Sequence, residues 1–376
     1  MEITNNHRAL VALLQVPNFG LRTARLVLKH ARVENAEELF NLSVHDIQRI
    51  DGIGAETATS LVKFDDWDKV DRLIEKAQKA GAFLVSFTDP YYPKLLRQIY
   101  DPPIVLWVKG DPGALQKQGV AIVGTRNPGK YGLQQAEKWS KIIAGSGLSI
   151  NSGLAYGVDS KAHRTAVENG GTTVAVLGSG IDWIYPQKNR GLAEEICKNG
   201  GAVITEYPPG TKPDAGNFPE RNRIVSGMSH GVLVIESGIK GGSMITARLA
   251  LDQNREVFVI PHHLDYLKGE GCNYLIKTGQ GKLVQTLRDV VEELSVELNG
   301  EMVEQKNETN KPRKWENETL TEEQVRICNT FGSEALHVDK LAEKLETEPF
   351  KLAPMLLEME MLGLIKQKAG KYFELI

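Results

Sequence analysis

The 376-residue sequence predicts an α/β fold, a Rossmann-like parallel-sheet domain flanked by an N-terminal helical domain and a C-terminal winged-helix domain. Three observations carry this reading. Residues 120–260 hold short Val/Ile/Leu runs separated by amphipathic stretches of helical length, the pattern of a parallel sheet covered on both faces. Residues 1–65 repeat a glycine turn that opens apolar-periodic helices, and residues 321–376 read as three amphipathic helices followed by an alternating hairpin. The boundaries are expected at 1–80 for the helical domain, 81–294 for the sheet domain, 295–320 for a polar linker and 321–376 for the winged helix.

In the N-terminal repeat, Val16-Pro-Asn-Phe-Gly20-Leu-Arg-Thr-Ala24 aligns with Ile50-Asp-Gly-Ile-Gly54-Ala-Glu-Thr-Ala58. The pattern resembles a helix-hairpin-helix, or SAM-like, arrangement in which a glycine turn presents backbone N–H groups to a DNA phosphate. A small packing domain whose glycines only make tight turns is the competing reading. Past residue 82, FLVSF and IVLWVKG precede the main series VAIVG (120–124), LSIN (148–151), TVAVLG (173–178), AVITE (202–206), GVLVIE (231–236) and EVFVI (256–260). Such sheets bind ligands beyond the carboxyl ends of their strands. Function is therefore expected in the loops that follow each strand.

Composition narrows the classes. Three cysteines without CxxC spacing (Cys197, Cys272, Cys328) argue against a disulfide framework or structural zinc. The start MEITNNHRALVALL lacks a basic region before a long apolar run, and no segment reaches the ~18 consecutive apolar residues of a membrane span, so a soluble cytoplasmic protein is expected. The net charge of −3 conceals a division: Lys+Arg minus Asp+Glu is 0 over residues 1–109, +4 over 110–290 and −7 over 291–376. The small total is a cancellation around a basic middle.

The strand-end loops carry the chemistry. Gly124-Thr125-Arg126, with Gly129 and Gly132 before the next helix, offers close backbone approach and a planar guanidinium, a design for phosphate. Neither GxGxxG nor GxxxxGK[ST] occurs, which disfavours a dinucleotide site and a P-loop ATPase. The second loop passes Gly153 into a helix with Asp159, Lys161 and His163. The third sets Trp183, Tyr185, Lys188 and Arg190 together, aromatics beside cations that suit stacked bases and a phosphate backbone, or that merely cover the sheet edge. The fourth is long and Pro-rich and ends in Phe218 and Arg221-Asn222-Arg223. The fifth sets Gly241, Gly242 and Ser243 at a helix N-terminus, with Thr246 one turn on, as a second anion pocket.

GTRNPGKYG, SGLAYGVDSKAH, VAVLGSGIDWIYPQKN, TEYPPGT, FPERNRIVSGMS, VIESGIKGGSMITARLAL and GCNYLIKTG, in this order over residues 83–290, resemble the DNA-processing protein A (DprA/Smf) family. The resemblance implies a sequence-independent single-stranded DNA-binding protein, not an enzyme and without cofactors. Such a protein protects incoming strands in natural transformation and helps load the RecA recombinase onto strands coated by single-strand-binding protein. It also implies a homodimer through the Rossmann-like domain. The DNA-contacting arginine of the family's G[ST]R motif maps onto Arg126, and its basic positions onto Lys188, Arg221 and Arg223. The expected DNA-binding set is thus Gly124, Thr125, Arg126, Gly153, Lys161, Lys188, Arg190, Phe218, Arg221, Asn222, Arg223, Gly242, Ser243 and Thr246. Pro261-His262 stands where the family commonly has Pro-Gly, which puts the shape of that loop in question.

Three rival readings are weaker. Adjacent histidines on an extended strand end point to opposite sides, so His262 and His263, with Asp265 and Cys272, make a poor metal cluster. Asp159 and His163 at i, i+4 form a possible acid/base pair for which the resemblance offers no reaction. A nucleotide N-glycosidase of the lysine-decarboxylase-like group is the alternative enzyme, but Ala247 and Arg248 stand where its catalytic glutamate is expected, and without that carboxylate the acid/base group is missing. The winged-helix segment 321–376 carries 7 Lys+Arg against 10 Asp+Glu, a poor composition for a major-groove reader. Contact with another protein, or with the protein's own basic face, is expected of it instead.

Overall fold

The computed structural model describes residues 3–30, 35–294, 320–331, 336–345, 347–368 and 371–375. These divide into two compact units, Met1–Gly300 and Glu301–Ile376. The linker expected over 295–320 lies, but for its last residue, outside the described residues. So does the Ala369-Gly370 turn expected in the terminal hairpin.

The first unit opens with α1 (Asn5–Leu13), α2 (Leu21–His30), α3 (Val44–Gln48), α4 (Ala55–Val62) and α5 (Trp67–Lys79). The sequence repeat is also a structural one. Asn18 and Gly52, equivalent in the alignment, both have positive φ (60° and 87°), a conformation that glycine and asparagine tolerate best. The N–H groups of Phe19 and Ile53 bond the carbonyls of Val16 and Ile50, and those of Ala24 and Ala58 bond Gly20 and Gly54, all at 3.0 to 3.2 Å. The four equivalent apolar residues Val16, Phe19, Ile50 and Ile53 are buried, so both turns point their hydrophobic side inward.

β1 (Phe83–Ser86), β2 (Val105–Gly110), β3 (Gly119–Val123), β4 (Ser149–Ser152), β5 (Thr173–Val176), β6 (Ala202–Thr205), β7 (Gly231–Val234), β8 (Glu256–Val259) and β9 (Lys282–Leu283) form one sheet in the order β1-β2-β6-β5-β4-β3-β7-β8-β9. From β6 to β9 every pairing is parallel. At the other edge, formed by the two strands that precede the main series, β2 runs antiparallel to β6, and β1 antiparallel to β2. The connections explain this edge: the segment from β1 to β2 contains no crossover helix, and antiparallel pairing does not need one.

The helices α6 (Lys130–Gly145), α7 (Val158–Glu168), α8 (Arg190–Lys198), α9 (Asn217–Gly227), α10 (Gly242–Asp252), α11 (Glu270–Lys277) and α12 (Leu287–Val291) cover the sheet. On one face Val120, Ile122 and Ile150 pack with Ala136, Trp139, Ile143 and Ala162 of α6 and α7. On the other, Ala121, Val123, Val174 and Val176 pack with Ile224, Val225, Ala247 and Ala250 of α9 and α10. Alternate residues of one strand thus bury on opposite faces, which is why these strands read as unbroken apolar runs. The N-terminal helices share a core with the sheet's antiparallel end: Leu10, Leu13 and Ile74 lie in one cluster with Leu84, Trp107, Leu177 and Val203.

The second unit contains α13 (Glu322–Thr330), β10 (Leu336–His337), α14 (Val338–Lys344), α15 (Pro349–Met361), β11 (Ile365–Lys368) and β12 (Tyr372–Leu375), with strand order β10-β12-β11. This is a winged helix around Ile327, Leu341, Leu356, Met359 and Ile365. The two-residue β10 was not foreseen, because so short a strand has no period to recognise.

Candidate nucleic-acid interface

The series β3, β4, β5, β6 proceeds outward on one side of β3, and β7 returns to its other side. β3 and β7 therefore flank the topological switch point, where the loops diverge and a crevice must open. A cleft of about 660 Å³ lies there, walled by the strand-end loops and the starts of α9 and α10. It brings together Gly124, Thr125, Arg126, Gly153, Phe218, Arg221, Asn222, Gly242, Ser243 and Thr246 from the expected set. Lys161, Lys188, Arg190 and Arg223 are not among its walls.

Small residues make the cleft possible. Gly157 holds φ 79° at the start of α7, and a Cβ there would strike the Thr125 carbonyl and the Arg126 backbone. At Gly124 a Cβ would run into Val158, and at Gly178 into the Phe218 ring. The close approach of loops that the glycines allow is what sets Arg126 and Phe218 at the cleft mouth. Arg126 is exposed, and its guanidinium lies 5.5 Å from the centre of the Phe218 ring. Phe218 in turn lies 5.5 Å from Tyr185, which is also exposed. Cation and rings form a ladder, a surface suited to phosphate and base together.

The two anion pockets expected at helix N-termini differ. At the first, the Glu236 carboxylate accepts hydrogen bonds from the Gly129 N–H at 3.0 Å and the Tyr266 hydroxyl at 3.1 Å. A buried side-chain anion thus already fills the start of α6, so the N-terminus credited to the Gly124-Thr125-Arg126 loop is taken. The sequence shows Glu236 only as the last letter of an apolar strand, and the one available signal was an acid in that setting. At α10 the cap residue is Gly241, which brings no capping side chain. Ser243 donates to Ser237 at 2.7 Å, and the first turn of α10 faces the cleft with Gly242 exposed.

Arg221 and Arg223 point inward. Arg221 is 4% exposed and donates to the carbonyls of Gly153, at 2.7 Å, and Val176. Burial lowers its pKa to about 10, while the charge of Asp159 works against that shift. Asp159, buried, accepts from the amides of Gly153 (3.1 Å) and Ala155 (3.4 Å), and burial pushes its carboxyl upward despite Arg221. Arg223 lies between Glu206 at 2.6 Å and Asp101 at 2.8 Å. Both arginines hold loops in place, and Arg126 is the arginine whose guanidinium the cleft exposes. Lys161 pairs with Glu137 at 2.6 Å and Arg190 with Glu194 at 3.4 Å. Lys188 is exposed beside the cis Tyr185-Pro186 bond.

The i, i+4 relation of Asp159 and His163 makes no acid/base pair. His163 is fully buried and its Nδ1 lies 2.7 Å from the Thr173 hydroxyl. Burial lowers its pKa to about 3, so it is a neutral core histidine. His262 lies 2.8 Å through Nε2 from the Ile235 carbonyl and stacks on Tyr266. Its ring occupies the space against Gly269, which is how the loop accommodates histidine where glycine was expected. No helix among the described residues is long and apolar enough to cross a membrane.

Residues 83–295 match the DNA recombination-mediator protein A family, and residues 311–371 match the DprA winged helix domain. The chain is 38% identical over 275 residues to protein Smf of Synechocystis, covering 72% of this chain and 68% of that protein. It is 36% identical to the DNA processing protein DprA of Streptococcus pneumoniae, covering 78% and 99%. The solved structure of the S. pneumoniae protein superposes with a TM-score of 0.67 at 34% identity, over 79% of this chain and all of that one. A Helicobacter pylori structure, described as showing the single-stranded DNA binding mode of DNA processing protein A, superposes at 0.51 and 31% identity, over 57% and 96%. The chain belongs to the DNA recombination-mediator protein A (DprA/Smf) family.

Proposed function

We propose that the cleft between β3 and β7 binds single-stranded DNA without reading its sequence. The observation that carries this is the exposed Arg126 guanidinium over the Phe218 ring, with Tyr185 beside that ring, at the mouth of a glycine-lined cleft. Arg126 neutralises a phosphate, the uncapped start of α10 supplies backbone N–H groups for the next, and bases stack on the rings or remain in solvent. The H. pylori relative, described as binding single-stranded DNA, supports the reading. Arg221 and Arg223 contribute as the struts that hold the loops carrying Arg126 and Phe218.

The cellular role proposed with this binding is the one the family resemblance suggests: protecting incoming strands, loading RecA onto strands coated by single-strand-binding protein, and acting as a homodimer. The carboxylates at the cleft favour binding over catalysis. Asp159 is committed to two backbone amides, and Asp214 accepts from the Gly216 N–H at 2.8 Å. The test is fluorescence anisotropy with labelled oligothymidine. Arg126→Ala should weaken binding by about 1.5–3 kcal/mol, the size of a lost charge-assisted hydrogen bond, with the melting temperature unchanged. Wild-type affinity in that variant would refute the site.

A further inference from the structure

A second depression adjoins the cleft. It measures about 750 Å³ and shares Tyr185 and Pro213 with the cleft wall. Its lining includes Tyr156 and Trp183 with Lys79, Lys109 and Arg190. Large aromatic side chains are costly to leave in water, and here Tyr156, Trp183 and Tyr185 are each more than two-fifths exposed around one groove. The two acids in the lining are already engaged, Asp182 with Lys76 at 3.1 Å and Glu194 with Arg190 at 3.4 Å. Lys79 comes from α5 and Lys109 from β2, so the helical region and the antiparallel edge supply the cations.

We infer that this groove is a second single-strand subsite, in which the strand leaving the cleft passes Tyr185 and lays its following bases on Trp183 and Tyr156. The inference rests on the cleft reading and adds the direction in which the strand leaves. Charge and continuity argue for this occupant. The Arg126–Phe218–Tyr185 ladder runs from the cleft mouth to the shared wall, and exposed rings beside lysines match a chain of bases joined by phosphates. The Lys76–Asp182 pair fixes the loop that carries Trp183. Asp182 also accepts from the Gly210 N–H at 2.7 Å, which ties down the neighbouring Pro-rich loop.

The test compares oligothymidines of about 6 nucleotides, enough for the cleft, and about 20, enough for both sites. The paired substitution Trp183→Ala with Tyr156→Ala should lower affinity for the long strand about tenfold and leave the short one unchanged. Trp183→Phe, which keeps a ring, should restore part of the loss. Lys79→Glu, on an exposed helix face where Lys79 pairs with Glu75 at 3.6 Å, should weaken long-strand binding with little change in melting temperature, since exposed pairs contribute little to stability. Undiminished long-strand affinity in both the paired variant and Lys79→Glu would overturn the groove, as would an equal loss on both lengths. Failure of the cleft reading has a separate signature, an Arg126→Ala protein that binds the short strand normally.

Discussion

Arginines of two different strand-end motifs do opposite work in this fold, and burial decides which. Arg126 ends in solvent over Phe218, whereas Arg221 ends against two main-chain carbonyls above Asp159. Truncating Arg221 leaves two buried carbonyls without their donor, which costs about 1–3 kcal/mol for each. Arg221→Ala should therefore lower the denaturation midpoint markedly, and calorimetry alongside Arg126→Ala will separate strut from contact. The sequence presented both as cations in strand-end loops and could not tell them apart, because side-chain direction depends on how α9 sits on the sheet. His163 shows the same blindness. Its pKa of about 3 when folded lies below the ordinary 6.5, so between these values the unfolded chain binds the proton that the folded one refuses. Stability from this residue is complete above pH 6.5 and is lost as pH falls toward 3. By pH 5 the loss is about 2 kcal/mol. Asp159, with its carboxyl raised, contributes in the opposite sense, as stability lost when pH rises through its folded pKa. A His163→Gln variant, compared with wild type by thermal melts at pH 7 and pH 5, should show the smaller acid decline.

At the scale of elements, the strands were legible because both faces of the sheet are buried, and an apolar run is the only sequence that satisfies such a position. The antiparallel edge was not, since β2 reads like any other strand and only its connections reveal its direction. Trp107 on β2 is 1% exposed and shares a cluster with Leu10, Leu13 and Ile74 of the N-terminal helices. The helical region is thereby fixed to the sheet by a common core. Trp107→Ala should cost about 3–5 kcal/mol, and hydrogen exchange should show α1 and α5 losing protection together with β1 and β2. Retained protection in those helices would mean that they fold independently of the sheet. The repeat in these helices was legible down to its turn geometry. Its DNA-phosphate reading is weakened by Glu56, which sits in the first turn of α4 and accepts from Asn18 of the other hairpin at 3.2 Å.

For the whole molecule, the charge division seen in sequence has a counterpart in structure. The cations that remain exposed around the cleft and groove belong to the Met1–Gly300 unit, which contains every wall of both. The fold and the location of the cleft followed from strand order and loop glycines. The distinction between its exposed and its buried arginines required the packed structure. An Arg126 guanidinium that meets a strand phosphate releases condensed counterions. The most direct measurement is the dependence of single-strand affinity on salt, plotted as log K against log salt concentration, for wild type and Arg126→Ala. Loss of one phosphate contact should make the slope shallower by about 0.7 while affinity falls, with both proteins equally folded. Parallel lines of equal affinity would show that Arg126 meets no phosphate.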